Sequence, residues 1–157
     1  MKKFIATALL ASTSLILAGQ VNAASTSKTA SSDFKVKLEV LSTCAINATD
    51  IDFGSVNSDV APNDKTGTLN VTCTNQTPYR VGLSGSGKMT HETDSSSTIA
   101  YQLFQNSGDK EQWDNNNQYT GIGSGDVQAI SVFAKVSGSS NVRAGKYSDT
   151  VTATVTY

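Results

Sequence analysis

From residue 34 to the C-terminus, apolar and polar side chains alternate in short runs separated by turn-forming residues. A period of two belongs to β-strands, whose successive side chains point to opposite faces. The first run places Phe34, Val36, Leu38 and Val40 on one side and Lys35, Lys37 and Glu39 on the other. Ile51-Asp52-Phe53-Gly54 predicts a short strand ending at a glycine. Residues 68–74 predict a clear strand, with Leu69, Val71 and Cys73 opposite Thr68, Asn70, Thr72 and Thr74. Tyr79, Val81 and Leu83 form the next in-phase set, and Ile99, Tyr101 and Leu103 another, with Ala100 and Phe104 behind them. Ile130, Val132, Ala134 and Val136 predict a strand backed by Phe133. The last and most regular strand, 147–157, sets Tyr147, Val151, Ala153, Val155 and Tyr157 against Ser148 and four threonines. Between these runs, 56–65, 85–97, 106–126 and 138–145 read as loops and turns. No stretch after the leader holds helical spacing over 11 or more residues. About six short strands with turn signals predict an all-β sandwich.

The N-terminus follows other rules. Lys2 and Lys3, an apolar run over 4–18 and the small-residue ending Val21-Asn22-Ala23 read as a secretory leader, residues 1–23. The run is short for a membrane span and no stop-transfer flank follows it. Cleavage leaves 134 of the 157 residues, enough for one domain with a real core. Residues 24–32 are almost all Ser, Thr and Ala, and predict a flexible tether. The expected organisation is leader 1–23, tether and first strand 24–41, and a β-sandwich domain over 42–157.

Charge and cysteines narrow the chemistry. Without the leader the chain carries 10 basic and 13 acidic residues, so no basic face is available for nucleic acid. Cys44 and Cys73 are the only cysteines, and in an exported chain a disulfide is the default reading, with free thiols the disfavoured alternative. Cys73 is in phase with Leu69 and Val71, which favours a buried bridge. Two cysteines and the single His91 are too few ligands for a metal site, and no cofactor is implied. His91 lies in a Thr-His-Glu-Thr-Asp stretch with no nucleophile motif, so no enzyme is predicted. The Gly121–Gly125 run resembles a phosphate loop but lacks a lysine. The stretch from Asp114 to Gln118 offers oxygen ligands, yet Tyr119 and Gly125 stand where a calcium loop needs Gly and Glu. Three Asn-x-Thr matches, at Asn47, Asn70 and Asn75, are the chance yield of a Thr- and Asn-rich chain. Trp113 or Tyr119 could stack on a sugar, but plugging the end of the sandwich is the favoured reading.

The 34–40 stripe has two readings on residues alone. It is either the first strand of its own domain or a strand on a tether that pairs with another chain.

Several segments together resemble the spore coat protein U domain family, which includes subunits of archaic chaperone–usher pili. They are the leader, the strand before Cys44, Ile51-Asp52-Phe53-Gly54, the run from Gly67 to Cys73, Thr77-Pro78-Tyr79, the run from Ile99 to Phe104 ahead of Trp113, and Ala144-Gly145-Lys146-Tyr147-Ser148-Asp149-Thr150-Val151 running into Val155-Thr156-Tyr157. The resemblance implies an incomplete immunoglobulin-like β-sandwich of six strands that lacks strand G. A periplasmic chaperone fills the gap during export. At the outer-membrane usher, the N-terminal extension of an identical or related subunit replaces it. On this chain Phe34, Val36, Leu38 and Val40 would be the donor side chains, and Cys44–Cys73 the intradomain disulfide. Tyr147, Val151, Ala153, Val155 and Tyr157 would edge the acceptor groove. The implied product is a cell-surface pilus serving adhesion and biofilm formation. The alternative is a self-complemented secreted β-sandwich that binds carbohydrate or another surface ligand.

Overall fold

The computed structural model describes residues 27–108, 110–137 and 141–157. The leader expected at 1–23, the start of the tether and part of the turn expected at 138–145 lie outside them. The chain divides between Leu38 and Glu39 into two units. In the first, the described residues carry no strand, and Phe34, Val36 and Leu38 are exposed.

The second unit is all-β, with nine strand segments among the described residues. They are β1 (Cys44–Ala48), β2 (Lys65–Cys73), β3 (Pro78–Ser84), β4 (Lys88–His91), β5 (Asp94–Phe104), β6 (Tyr119–Ile122), β7 (Val127–Val136), β8 (Tyr147–Ser148) and β9 (Thr152–Thr156). One sheet has the order β1-β2-β7-β5-β4-β8, the other β6-β3-β9, and every pairing is antiparallel. Leu69, Val71, Cys73, Ile130 and Val132 from the first sheet and Tyr79, Val81 and Leu83 from the second share one core. Two sheets burying their inner faces against each other make a sandwich.

Alternation predicts the inner faces well. On β2 the odd positions from Gly67 to Cys73 are buried, and on β7 the even positions from Ile130 to Val136 are buried. Cys44 and Cys73 face each other across the β1–β2 ladder and are joined as a disulfide.

Four expectations need correction. Ile51-Asp52-Phe53-Gly54 is not a strand: the β1 ladder ends at Ala48 opposite Leu69, and Gly54 turns the chain with a left-handed φ of 75°. Ile51 and Phe53 are still half-buried around exposed Asp52, so the alternation survives where pairing stops. The stretch 85–97 is not all loop: it holds β4 and the start of β5. β4 carries one apolar residue, Met89, and is held by pairing with β5 and β8 rather than by its own pattern. The stretch 106–126 contains β6, held to β3 over Tyr119–Ile122. The regular C-terminal run is two strands, not one: β8 pairs with β4 in the larger sheet and β9 with β3 in the smaller. The pattern keeps its phase through the crossing, which is why the sequence hides it.

Candidate functional site

β9 sits at the edge of its sheet. It pairs with β3 on one side, over Arg80↔Thr156 to Ser84↔Thr152, and with no strand on the other among the described residues. β1 is one edge of the larger sheet, and β9 approaches it. An edge strand leaves a row of backbone N–H and C=O groups ready to pair.

Beside these two edges lies an open cavity of about 460 Å³ lined by both sheets. Leu69, Val132, Ala134 and Leu103 come from the larger sheet, and Leu83 and Ala153 from the smaller. Ala48 to Ile51 and Phe53, at and past the end of β1, add to the lining. They are pinned to β2 by Thr49, whose N–H donates to the Thr68 carbonyl (3.0 Å) and whose hydroxyl accepts from the Thr68 N–H (2.9 Å). Ile51 packs against Gly67. The interior is a strip of sandwich core left open.

The crossing from β8 to β9 is fastened at one point. Asp149 Oδ2 accepts hydrogen bonds from Tyr101 Oη (2.6 Å), Ser86 Oγ (2.9 Å) and Ser86 N (3.1 Å). Gly85 lets the strands close here, because a Cβ on it would stand 2.9 Å from both Tyr101 Oη and Val151 Cγ2. Partial burial by itself raises the Asp149 pKa, but the hydrogen bonds from Tyr101, Ser86 and Thr150 outweigh it and hold the carboxyl below its ordinary value. Burial, then the hydrogen bond and charge of Asp149, push the Tyr101 hydroxyl up. Tyr101 and Asp149 both line the cavity, so this contact fixes its shape where the chain changes sheets.

Of the five residues expected along the groove edge, Tyr147, Val151 and Ala153 line the cavity. Val155 packs on the core instead, and Tyr157 lines a separate hollow of about 350 Å³ with Pro78, Tyr79 and Gly121. Phe34, Val36, Leu38 and Val40 are 86%, 86%, 89% and 73% exposed. The Tyr101–Asp149–Ser86 contact escapes sequence reasoning. Asp149 reads there as one more polar residue in a Ser/Thr run, and its partners lie 48 and 63 positions away.

The other candidates have structural roles. Trp113 is buried, donates from Nε1 to the Val81 carbonyl (2.8 Å) and packs on Tyr119 at 5.7 Å, so it plugs the core rather than offering a sugar platform. His91 Nδ1 accepts from the Thr93 N–H (3.1 Å), which leaves the Nε2 proton to donate to the Ala144 carbonyl (3.2 Å). Its ring meets Tyr147 edge-on at 5.1 Å, tying the segment before β8 to β4. Asp114 Oδ1 accepts from the N–H groups of Asn116 and Asn117 (2.7 Å each), a local turn.

The arrangement has known counterparts. The chain is similar to one in the crystal structure of the CsuC–CsuE chaperone–tip adhesion subunit pre-assembly complex from archaic chaperone–usher Csu pili of Acinetobacter baumannii. The match has a TM-score of 0.55 and 24% identity, and covers 75% of this chain and 40% of that one. At that identity it speaks to the fold. No curated protein matches the chain. The family model of the Spore Coat Protein U domain matches residues 30–154. That span takes in the tail stripe, the disulfide pair, β1 to β8 and the start of β9, and the chain belongs to the Spore Coat Protein U domain family.

Proposed function

We propose that this chain is a structural subunit of a chaperone–usher pilus that polymerises by donor-strand exchange. The observation that carries the reading is the edge of β9, unpaired on one side among the described residues, beside an open and mostly apolar groove, in a chain whose own tail holds an exposed apolar stripe. The tail of one copy, with Phe34, Val36, Leu38 and Val40 inward, adds a strand to the body of another. Strand addition satisfies the edge hydrogen bonds and covers the open core together. Residues 24–41 are then tether and donor strand, and 42–157 the pilin domain.

The magnitudes support an assembly that is strongly locked. Burying four large apolar side chains contributes roughly 6–12 kcal/mol at ~1.5–3 each. Domain stability as a whole is about 5–15 kcal/mol. A vacant body is therefore poorly stable and needs a periplasmic chaperone to fill the groove until the usher hands it to the next tail. Head-to-tail donation does not close on itself, so its product is a fibre at the cell surface, suited to adhesion and biofilm formation.

Expression of residues 24–157 in the periplasm tests this. With the cognate chaperone the expected product is a soluble one-to-one complex, and without it degradation or aggregation. A reversible monomer made alone overturns the proposal and favours a self-complemented sandwich.

A further inference from the structure

The strap from Arg143 to Ser148 runs past the end of β4 and becomes one wall of the groove. Tyr147 and Ser148 line the cavity, as do Asp149 beyond them and Met89 on β4. Two ladder pairs join the strap to β4, Thr90↔Ser148 and His91↔Tyr147. Pairing so short does not hold a strand by itself. The rest of the fastening is built around one buried imidazole. His91 is 8% exposed. Its Nε2–H donates to the Ala144 carbonyl (3.2 Å), and its Nδ1 accepts from the Thr93 N–H (3.1 Å). Its edge-on contact with the Tyr147 ring closes the strap over it. A Cβ on Gly145 would collide with the imidazole, so the strap backbone lies directly on the ring. Tyr147 Oη donates to the Arg143 carbonyl (2.6 Å) and accepts from Ser97 Oγ (2.7 Å), and the Glu92 N–H donates to the Lys146 carbonyl (3.0 Å).

These contacts require the neutral ring. A proton added at Nδ1 points at the Thr93 N–H, and two donors then face each other. The Thr93 hydroxyl, 3.3 Å from Nδ1, can turn to accept, but the backbone N–H cannot. A buried imidazolium also needs a carboxylate partner, because an unpaired charge away from water is costly. The ionisable groups around the ring are Lys88 on β4, Glu92 and Asp94 on the β4–β5 turn, and Arg143, Lys146 and Tyr147 on the strap. Asp94 is committed to Ser96 Oγ (2.6 Å) and Arg143 Nη1 (3.5 Å), and neither ring nitrogen is bonded to a carboxylate among the described residues. Charging the ring therefore works against the contacts that seat the strap. The chain has no other histidine, so no other side chain ordinarily titrates in mild acid. Hydrogen bonds from Ser96 hold the Asp94 carboxyl below its ordinary value, and Asp149 is held low against its own burial by Tyr101, Ser86 and Thr150, so both stay ionised there.

Resting on the donor-strand reading, we propose that His91 is a pH-sensitive latch on the groove wall. The neutral ring holds the Arg143–Ser148 strap against β4 and keeps a seated strand enclosed. Protonation at Nδ1 unseats the strap, loosens the wall at Tyr147 and Ser148, and speeds release of that strand. His91 touches no part of the groove itself: it is a positioning residue that acts through Tyr147 and the backbone of Ala144.

The test follows a seated strand as the pH is lowered. The mature chain, its own tail disabled by Val36→Asp and Leu38→Asp, is folded around a fluorescent peptide of residues 33–41. Release of the peptide is timed at about pH 7.5 and about pH 5.5, either side of the range in which an imidazole ordinarily takes up a proton. Release is expected to be about fivefold faster in acid, the order of one lost hydrogen bond. His91→Gln, neutral at both pH values, is expected to abolish the difference. Amide exchange over 143–148, corrected for its intrinsic pH dependence, is expected to quicken over the same interval while β2 and β7 keep their protection. Equal release at the two pH values, or an undiminished difference in His91→Gln, overturns the latch. If His91→Gln does not fold, the NMR signals of the lone imidazole in the unaltered chain decide, and release that changes over a different pH range from those signals overturns the latch. A peptide that binds at neither pH removes the donor reading instead. Exchange over 143–148 in the chaperone-held chain then judges the strap alone, and protection that does not change with pH overturns it as well.

Discussion

The alternation in the tail can be turned into a measurement with an internal control. In peptides of residues 33–41, Leu38→Asp falls on the apolar side of the stripe and Lys37→Asp, one position away, on the charged side. Leu38 is 89% exposed in the free tail, so nearly all its apolar surface is available for burial. Replacing it forfeits about 1.5–3 kcal/mol of burial. It also carries a carboxylate into an apolar groove, which costs several kcal/mol more. At ~1.4 kcal/mol per decade the affinity falls by at least about a hundredfold. Lys37→Asp alters a solvent-facing charge, an effect of about 1 kcal/mol or less. The assay is the melting temperature, with each peptide, of a chain whose own tail is disabled by Val36→Asp and Leu38→Asp. Free peptide at about 100 times Kd stabilises by about 2.7 kcal/mol, and binding a hundredfold weaker leaves about 0.4. For a domain of this size that difference is a drop of several degrees. Equal shifts from the two altered peptides, or a larger loss from Lys37→Asp, would refute the face assignment.

Replacing Cys44 and Cys73 by Ser opens a loop of 29 residues, and the fibre or chaperone complex should lose roughly 2–4 kcal/mol, read as lower yield and lower melting temperature. Trp113→Phe removes the donor to the Val81 carbonyl and part of the plug, and should cost about 1–3 kcal/mol in urea melts while leaving peptide binding in place. The Asp149 carboxyl is held below its ordinary value, so its contribution to stability is complete above about pH 4 and is lost as pH falls through the folded value. Asp149→Asn should flatten that acid limb in melts taken from pH 6 downward. Tyr101 is shifted the other way, so its contribution is complete below about pH 10 and declines as pH rises further, a decline that Tyr101→Phe should remove.

Period-two alternation was enough to place the core. β2, β3 and β7 bury the residues it selects, because those strands are paired on both sides and show one face to the core. It fell short where pairing, not pattern, decides. β4 and β6 have little apolar signal and exist because a neighbouring strand holds them. Residues 51–53 have the signal and lack the neighbour, so they stay half-buried without a ladder. The exposed stripe in the tail was legible as chemistry, because four apolar residues in phase need cover wherever they end up. The Tyr101–Asp149 contact was not, since the crossing from β8 to β9 breaks no alternation and only its three-dimensional path brings those groups together.

The Cys44–Cys73 bridge stands immediately inside the point where the tail leaves the body. In the proposed fibre, tension drawn through that tail would reach the domain beside Cys44 and pass, through a covalent bond, into β2 and its long ladder with β7. β1 would thereby be spared the load and would not unzip from its edge. On the donor-strand reading, a pulled fibre would then give way by slippage of the donor strand, an event that a refilled groove could reverse.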